Sequence, residues 1–236
     1  MRLTPALRQQ GQYLFLLLVC AVAAHLAYQT LHADRVLFRE AEASLVAGHD
    51  QQARRLFRQA LDHGLDWPPA LIRTVEAALE TGDQITAAQA LENFRSSVGS
   101  PRPEQLLELA GLLDRFGQPE QARDIMAAYP RIVTSSPDVA MYLAGLCRRT
   151  GDWDQAEALY TRLAGIPALR LRADLERAEM YAWQGRYSEA ETLLRQVLTA
   201  QPDLRPARLT LARVLSWGGR FQEAITEYKN ALGEPI

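Results

Sequence analysis

A glycine followed five residues later by an alanine recurs six times: GHDQQA from Gly48, GDQITA from Gly82, GQPEQA from Gly117, GDWDQA from Gly151, GRYSEA from Gly185 and GRFQEA from Gly219. Successive glycines stand 34, 35, 34, 34 and 34 residues apart. A fixed period of this length constrains the fold more than any local propensity, because each unit is then one supersecondary piece that buries its apolar side only against the next copy. The apolar positions keep the same register. Four residues beyond each alanine come Phe57, Leu91, Met126, Tyr160, Leu194 and Tyr228, and three further on Ala60, Phe94, Tyr129, Leu163, Val197 and Ala231. Seven before the glycine stands an alanine in five units: Ala41, Ala110, Ala144, Ala178 and Ala212.

Spacings of three, four and seven put these residues on one face of an α-helix, so the pattern predicts two helices per unit, close together where the crossing residues are small. Each glycine is expected to end the first helix in the left-handed region, which a residue without Cβ enters most easily. Pro68, Pro101, Pro137, Pro167 and Pro202 fall between units and are expected to stop the second helix. The fold class is all-α, with units at about 34–67, 68–102, 103–136, 137–170, 171–204 and 205–236.

On these residues the chain from 34 to 236 resembles the tetratricopeptide repeat family. Its unit of about 34 residues has small residues at the eighth and twentieth positions, large apolar ones near the eleventh and twenty-fourth, and often a closing proline. The resemblance implies a right-handed α-solenoid of six helix-turn-helix units with a concave inner surface. Two departures are expected to loosen the first units: Val75 stands where a small residue belongs, and Ser44 where a bulky one does. The last second helix runs through Tyr228 and Leu232, and the sequence stops at Ile236 without a polar capping helix. Either Glu227, Lys229 and Asn230 let that helix cap itself, or a partner or a second copy covers it by self-association.

Ahead of the repeats, Tyr13 to Ala24 read YLFLLLVCAVAA, and the apolar character continues through Leu26, Ala27 and Tyr28. To Leu31 this makes roughly 28 Å of helix, close to the thickness of a bilayer's hydrocarbon. A transmembrane helix at 13–31 following a short basic segment at 1–12 is therefore expected. The rival is a cleaved signal peptide, with Arg2 and Arg8 as its basic head and Val22 and Ala24 before the cut. Against it, no glycine or proline separates the apolar run from the helical pattern beyond it, which suggests one continuous helix. Lipidation at Cys20 is disfavoured by Val19, where a small residue is wanted. Arg2 and Arg8 are matched beyond the span by Arg35 and Arg39. The short amino terminus, with Asp34, Glu40 and Glu42 beyond, tilts the balance to a signal anchor in the inner (cytoplasmic) membrane, with the repeats in the periplasm.

With 26 basic against 28 acidic residues, net charge −2, there is no global field to attract nucleic acid. Cys20 and Cys147 are too differently placed for a disulfide. The sequence holds no nucleotide loop, GxSxG, HExxH or paired CxxC. His25, His32, His49 and His63 are scattered; His49 and His63 flank one helix without a nearby cysteine. No catalytic residue, metal or cofactor is expected.

The family resemblance implies ligand contacts at the second, fifth, sixth, ninth, twelfth and thirteenth positions of each first helix. The thirteenth is Arg115, Arg149, Trp183 and Trp217 in units three to six. The sixth adds Glu108, Tyr142 and Glu176, and the ninth Glu179 and Arg213. Indole rings with guanidinium groups suit recognition of a protein partner. The alternative is that Trp183 and Trp217, one repeat apart, only pack the solenoid together.

The expected function is a membrane-anchored scaffold assembling an envelope complex through protein–protein contacts. AWQGRYSEAETLLRQVL and LSWGGRFQEAITEY, in units five and six, resemble repeats of bacterial proteins that assist exopolysaccharide export. Two alternatives stay open: a periplasmic peptide-binding chaperone similar to anchored repeat proteins of cytochrome c maturation, and an accessory factor contacting polysaccharide through Trp183, Trp217, Glu176 and Glu179.

Overall fold

Helices account for all the regular structure among the residues described by the computed structural model, which covers 5–233 with side chains from Leu16 onward, Gln29 excepted. Arg2 and the side chain of Arg8, the proposed basic head, lie outside that set. The chain divides into two compact units, Met1–Pro101 and Arg102–Ile236.

The first unit holds α1 (Pro5–Leu31), α2 (Ala33–Val46), α3 (Asp50–Asp62), α4 (Pro68–Glu80) and α5 (Gln84–Ser97). Helices α2 and α3 form one hairpin, α4 and α5 the next, and α3 packs on α5. The second unit holds α6 (Pro103–Arg115), α7 (Pro119–Ala127), α8 (Pro130–Ser135), α9 (Pro137–Thr150), α10 (Trp153–Ala164), α11 (Arg170–Trp183), α12 (Tyr187–Ala200), α13 (Arg205–Trp217) and α14 (Phe221–Leu232). From α9 onward every helix packs on its neighbour in sequence, and α11 also touches α13. This is the stacking of helix pairs in a solenoid, with the first helices side by side along one layer.

The turns explain the period. Gly48, Gly82, Gly117, Gly151, Gly185 and Gly219 all have φ between 71° and 81°. The N–H after each glycine donates to the carbonyl five residues earlier: His49 to Ser44, Asp83 to Ala78, Gln118 to Leu113, Asp152 to Cys147, Arg186 to Tyr181 and Arg220 to Leu215, at 2.7–2.9 Å. This bond closes a helix only when the residue before it is left-handed. Next to it, Asp83 and Asp152 cap the second helices of their hairpins, accepting from the N–H groups of Thr86 and Gln155. The alanine five beyond each glycine is buried in every unit, from Ala53 to Ala224. Their small side chains let the two helices of a hairpin pack closely.

Four details differ from expectation. Pro68 and Pro137 begin α4 and α9 rather than standing between units, since the first residue of a helix needs no N–H partner. Unit three's second helix stops at Ala127, and Pro130 starts the short α8, because proline cannot continue the hydrogen-bonded ladder. Val75 is fully buried, and the buried Ser44 hydroxyl donates to the Glu40 carbonyl at 2.8 Å, so neither position is loosely packed. Finally, α1 does not run on into the repeats: the chain breaks at His32, and α2 leaves at 82° to the Leu16–Tyr28 segment.

From Leu16 on, the described side chains of α1 are uncovered. Leu16, Leu17, Leu18, Val19, Val22, Leu26, Tyr28 and Leu31 are all exposed. Among the residues whose side chains are described, no single helix is long and apolar enough to cross a membrane. That stretch begins at Leu16, three residues into the apolar run.

Candidate protein-binding face of the second unit

The first helices α6, α9, α11 and α13 carry every site residue singled out in the sequence, and their side chains form a chain of contacts from one repeat to the next. Asp114, near the end of α6, accepts from Arg149 at 2.7 Å and from the Tyr142 hydroxyl at 3.1 Å, both on α9. Burial, and then the bond to Asp114, raises the pKa of Tyr142 above its usual value. Arg148, also on α9, reaches α11: it lies 3.2 Å from Glu176 and 3.8 Å from Glu179. Glu179 also pairs with Arg213 on α13. Arg213 in turn lies 3.3 Å from the Thr210 hydroxyl.

The indoles stand beside this ladder. The Arg148 guanidinium is 5.2 Å from the centroid of Trp183, and that of Arg213 is 6.0 Å from Trp217. Trp183 is 58% exposed and Trp217 47%, so each leaves about half of its surface open to solvent. Each is steadied by a cation on its face, an interaction of about 0.5–1 kcal/mol at exposed sites. Arg115 ends α6 and is exposed.

Two adjoining hollows lie along the ladder. The larger, of 710 Å³, sits between α11 and α13, with Leu171, Leu175 and Leu209 as apolar walls, Arg172, Glu179 and Arg213 as polar ones, and Tyr228 of α14. The smaller, of 220 Å³, lies over Tyr142, Gly145 and Tyr160. Arg172 and Glu176 line both. The floor is firm: Tyr160 is 1% exposed, and burial followed by the Glu176 charge pushes its hydroxyl up to about 12.

Sequence reasoning missed Arg148 and Asp114, two of the residues that link neighbouring repeats. Both occupy the twelfth position of the family pattern, in units four and three, and carrying that position over would have found them. His49 and His63 stand at opposite ends of α3. At about 20 Å apart they cannot share an ion.

Tetratricopeptide repeat models match residues 34–80, 143–174 and 182–234, together more than half of the chain. The chain is a tetratricopeptide repeat protein. Its fold is similar to the crystal structure of MamA protein, with 17% identity over 70% of this chain and 90% of that one, at TM-score 0.53. It is also similar to the nearly identical TPR-like repeats described as those of a Podosopora anserina kinesin light chain, with 20% identity over 72% and 96%, again at 0.53. At these identities the likeness speaks for the fold alone. No curated protein shows significant similarity to the chain. A tetratricopeptide repeat fold is an interaction scaffold that typically carries no catalysis.

Proposed function

We propose that this tetratricopeptide repeat protein is held in the inner membrane by α1 and uses the α9–α11–α13 face to grip a protein partner during assembly of an envelope complex, with exopolysaccharide synthesis or export as its setting. The observation that carries the partner-binding reading is the pair of half-exposed indoles, Trp183 and Trp217, bordering a hollow with apolar walls. Exposed rings of this kind remove much area from water on binding, whereas the charges beside them are already paired with one another and fix register more than they add affinity. An extended or helical segment fits such a groove. Support for the anchor comes from the run of exposed apolar side chains from Leu16 to Leu31 on α1, a concentration that marks a membrane or partner contact.

The periplasmic side rests on the signal-anchor order of the sequence and is tested by protease added to spheroplasts, which should digest the repeats while intact cells protect them. The peptide-chaperone alternative predicts micromolar binding of short unfolded peptides, whereas a scaffold prefers a folded partner. A polysaccharide role is less favoured, because Glu176 and Glu179 are held by Arg148 and Arg213 rather than presented to sugar hydroxyls. Titrating the tryptophan fluorescence with oligosaccharide tests it, and quenching at millimolar sugar would revive it. Self-association has its support in Phe221, Ile225 and Leu232, exposed along α14. Sedimentation of the detergent-solubilised chain reads it directly.

A further inference from the structure

At the start of the repeats, immediately after α1, a hollow of 390 Å³ is lined by Arg35, Phe38, Arg39, Leu65 and Trp67. Its floor is apolar and fixed. Leu65 is 1% exposed, and Phe38 stands edge-on to Trp67 at 6.4 Å and packs against Phe57 at 6.0 Å. Its rim is cationic. Arg35 and Arg39 lie one helical turn apart on α2, both exposed, and neither makes an ion pair among the described residues. Trp67, 49% exposed, forms the opposite wall and is held in place by the Pro68–Pro69 start of α4.

We propose that this hollow binds the phosphate headgroup of an anionic phospholipid, with the two guanidiniums on the phosphate and the indole and Phe38 against the upper acyl chain. The proposal rests on the anchoring of α1 in the membrane. With α1 crossing the bilayer, the 82° turn at His32 lays α2 along its surface. Arg35 and Arg39 then sit roughly 6 and 12 Å along α2 from the end of the span. The headgroup layer is itself about 6 Å deep, and tryptophan and tyrosine concentrate in it. Tyr28, packed against His32 with ring centroids 4.7 Å apart, marks the same level on α1. A free anion would use the arginines but would have no need of the apolar floor. A lipid uses both. The same contact gives a reason for two arginines on the far side of the span, where charge bias alone would not put them.

The test uses the full chain reconstituted into nanodiscs of mixed phosphatidylcholine and phosphatidylglycerol, released in native mass spectrometry and read for retained lipid. Wild type should keep phosphatidylglycerol in preference to phosphatidylcholine. The Arg35→Gln/Arg39→Gln variant, with unchanged helicity, should lose that preference by about tenfold or more. Equal retention of the two lipids, or a preference unchanged in the variant, overturns the cradle. So does displacement of phosphatidylglycerol by millimolar inorganic phosphate, which would mark an anion site indifferent to lipid. Carbonate extraction separates the anchor from the cradle. A chain that stays in the membrane but keeps no anionic lipid refutes the cradle alone, and one that washes off refutes the anchor and the cradle together.

Discussion

Arg148 and Trp183 face each other across adjacent repeats, the guanidinium 5.2 Å from the indole centroid, while the same guanidinium lies 3.2 Å from Glu176. One side chain thus ties α9 to α11 and orients the ring proposed to meet a partner. Arg148 is only 15% exposed, whereas Trp183 is 58% exposed, so the two should separate in mutagenesis. Trp183→Ala or Trp217→Ala should lower stability by about 1 kcal/mol, because about half of each residue is already exposed and one weak cation–π contact is lost. Arg148→Ala should cost about 1–3 kcal/mol by leaving Glu176 and the buried Tyr160 hydroxyl without their cation, while Glu179 keeps Arg213. Urea titrations in detergent followed by circular dichroism measure both. Equal losses would return the tryptophans to a packing role.

Two glycines in one helix pair predict changes of opposite sign. At Gly151, φ is 81° and nothing lies within 4 Å of an added Cβ, so the obstacle is the backbone alone. Gly151→Ala should destabilise by about 1–2 kcal/mol. Gly145 sits inside α9 with the same open space, and Gly145→Ala should stabilise by about 0.5–1 kcal/mol through chain entropy and helix propensity. The same titrations check the pair, and a stabilising Gly151→Ala would contradict the left-handed turn.

Asp83 sets a pH dependence in the first unit. Burial at 5% exposure favours its neutral form. Hydrogen bonds from the Thr86 hydroxyl at 2.7 Å, from Arg58 at 2.8 and 2.9 Å and from the Thr86 N–H outweigh burial and hold the carboxyl below its usual range. A depressed folded-state pKa stabilises fully above the unfolded value of about 3.9 and loses that contribution as the pH falls through the folded one. Asp83→Asn should therefore cost about 1–2 kcal/mol at pH 7, discounted for the half-exposed Arg58, and progressively less below about pH 4. Urea midpoints of both proteins at pH 7 and pH 3 provide the comparison. A gap independent of pH would refute the account.

Cys147 lies on the buried side of α9, fully covered, and burial, reinforced by Asp152, pushes its thiol up to about 12. At pH 8 it should not react with maleimide until the repeats unfold. Labelling rate against urea concentration then reports opening of the second unit. In a Cys20→Ser chain, which removes the exposed thiol of α1, rapid labelling without urea would show that α9 is not packed as described.

The glycine turns, the buried alanines and the helix pairing were legible because each depends on residues within one repeat, and glycine announces its backbone need locally. The face itself was half legible. The thirteenth position showed its aromatic and arginine residues, but Arg148 and Asp114 act by reaching α11 and α9 respectively, contacts that no spacing within a single helix reveals. The break at His32 has no glycine or proline to mark it, so the sequence read as one helix. Pro130 did carry a signal, overridden by the regular count around Met126 and Tyr129. For Val75, burial depended on how its neighbours made room, and that is settled between helices rather than along one.

Site-specific photocrosslinking in intact membranes tests the central claim most directly, with the reactive side chain placed at position 183, at 217, or at the outward-facing control position 192. The account predicts an adduct of the same mass from 183 and 217, competed by purified partner once identified, and none from 192. Equal adducts from all three positions, or adducts from 192 alone, would contradict a binding face on the first helices of the second unit.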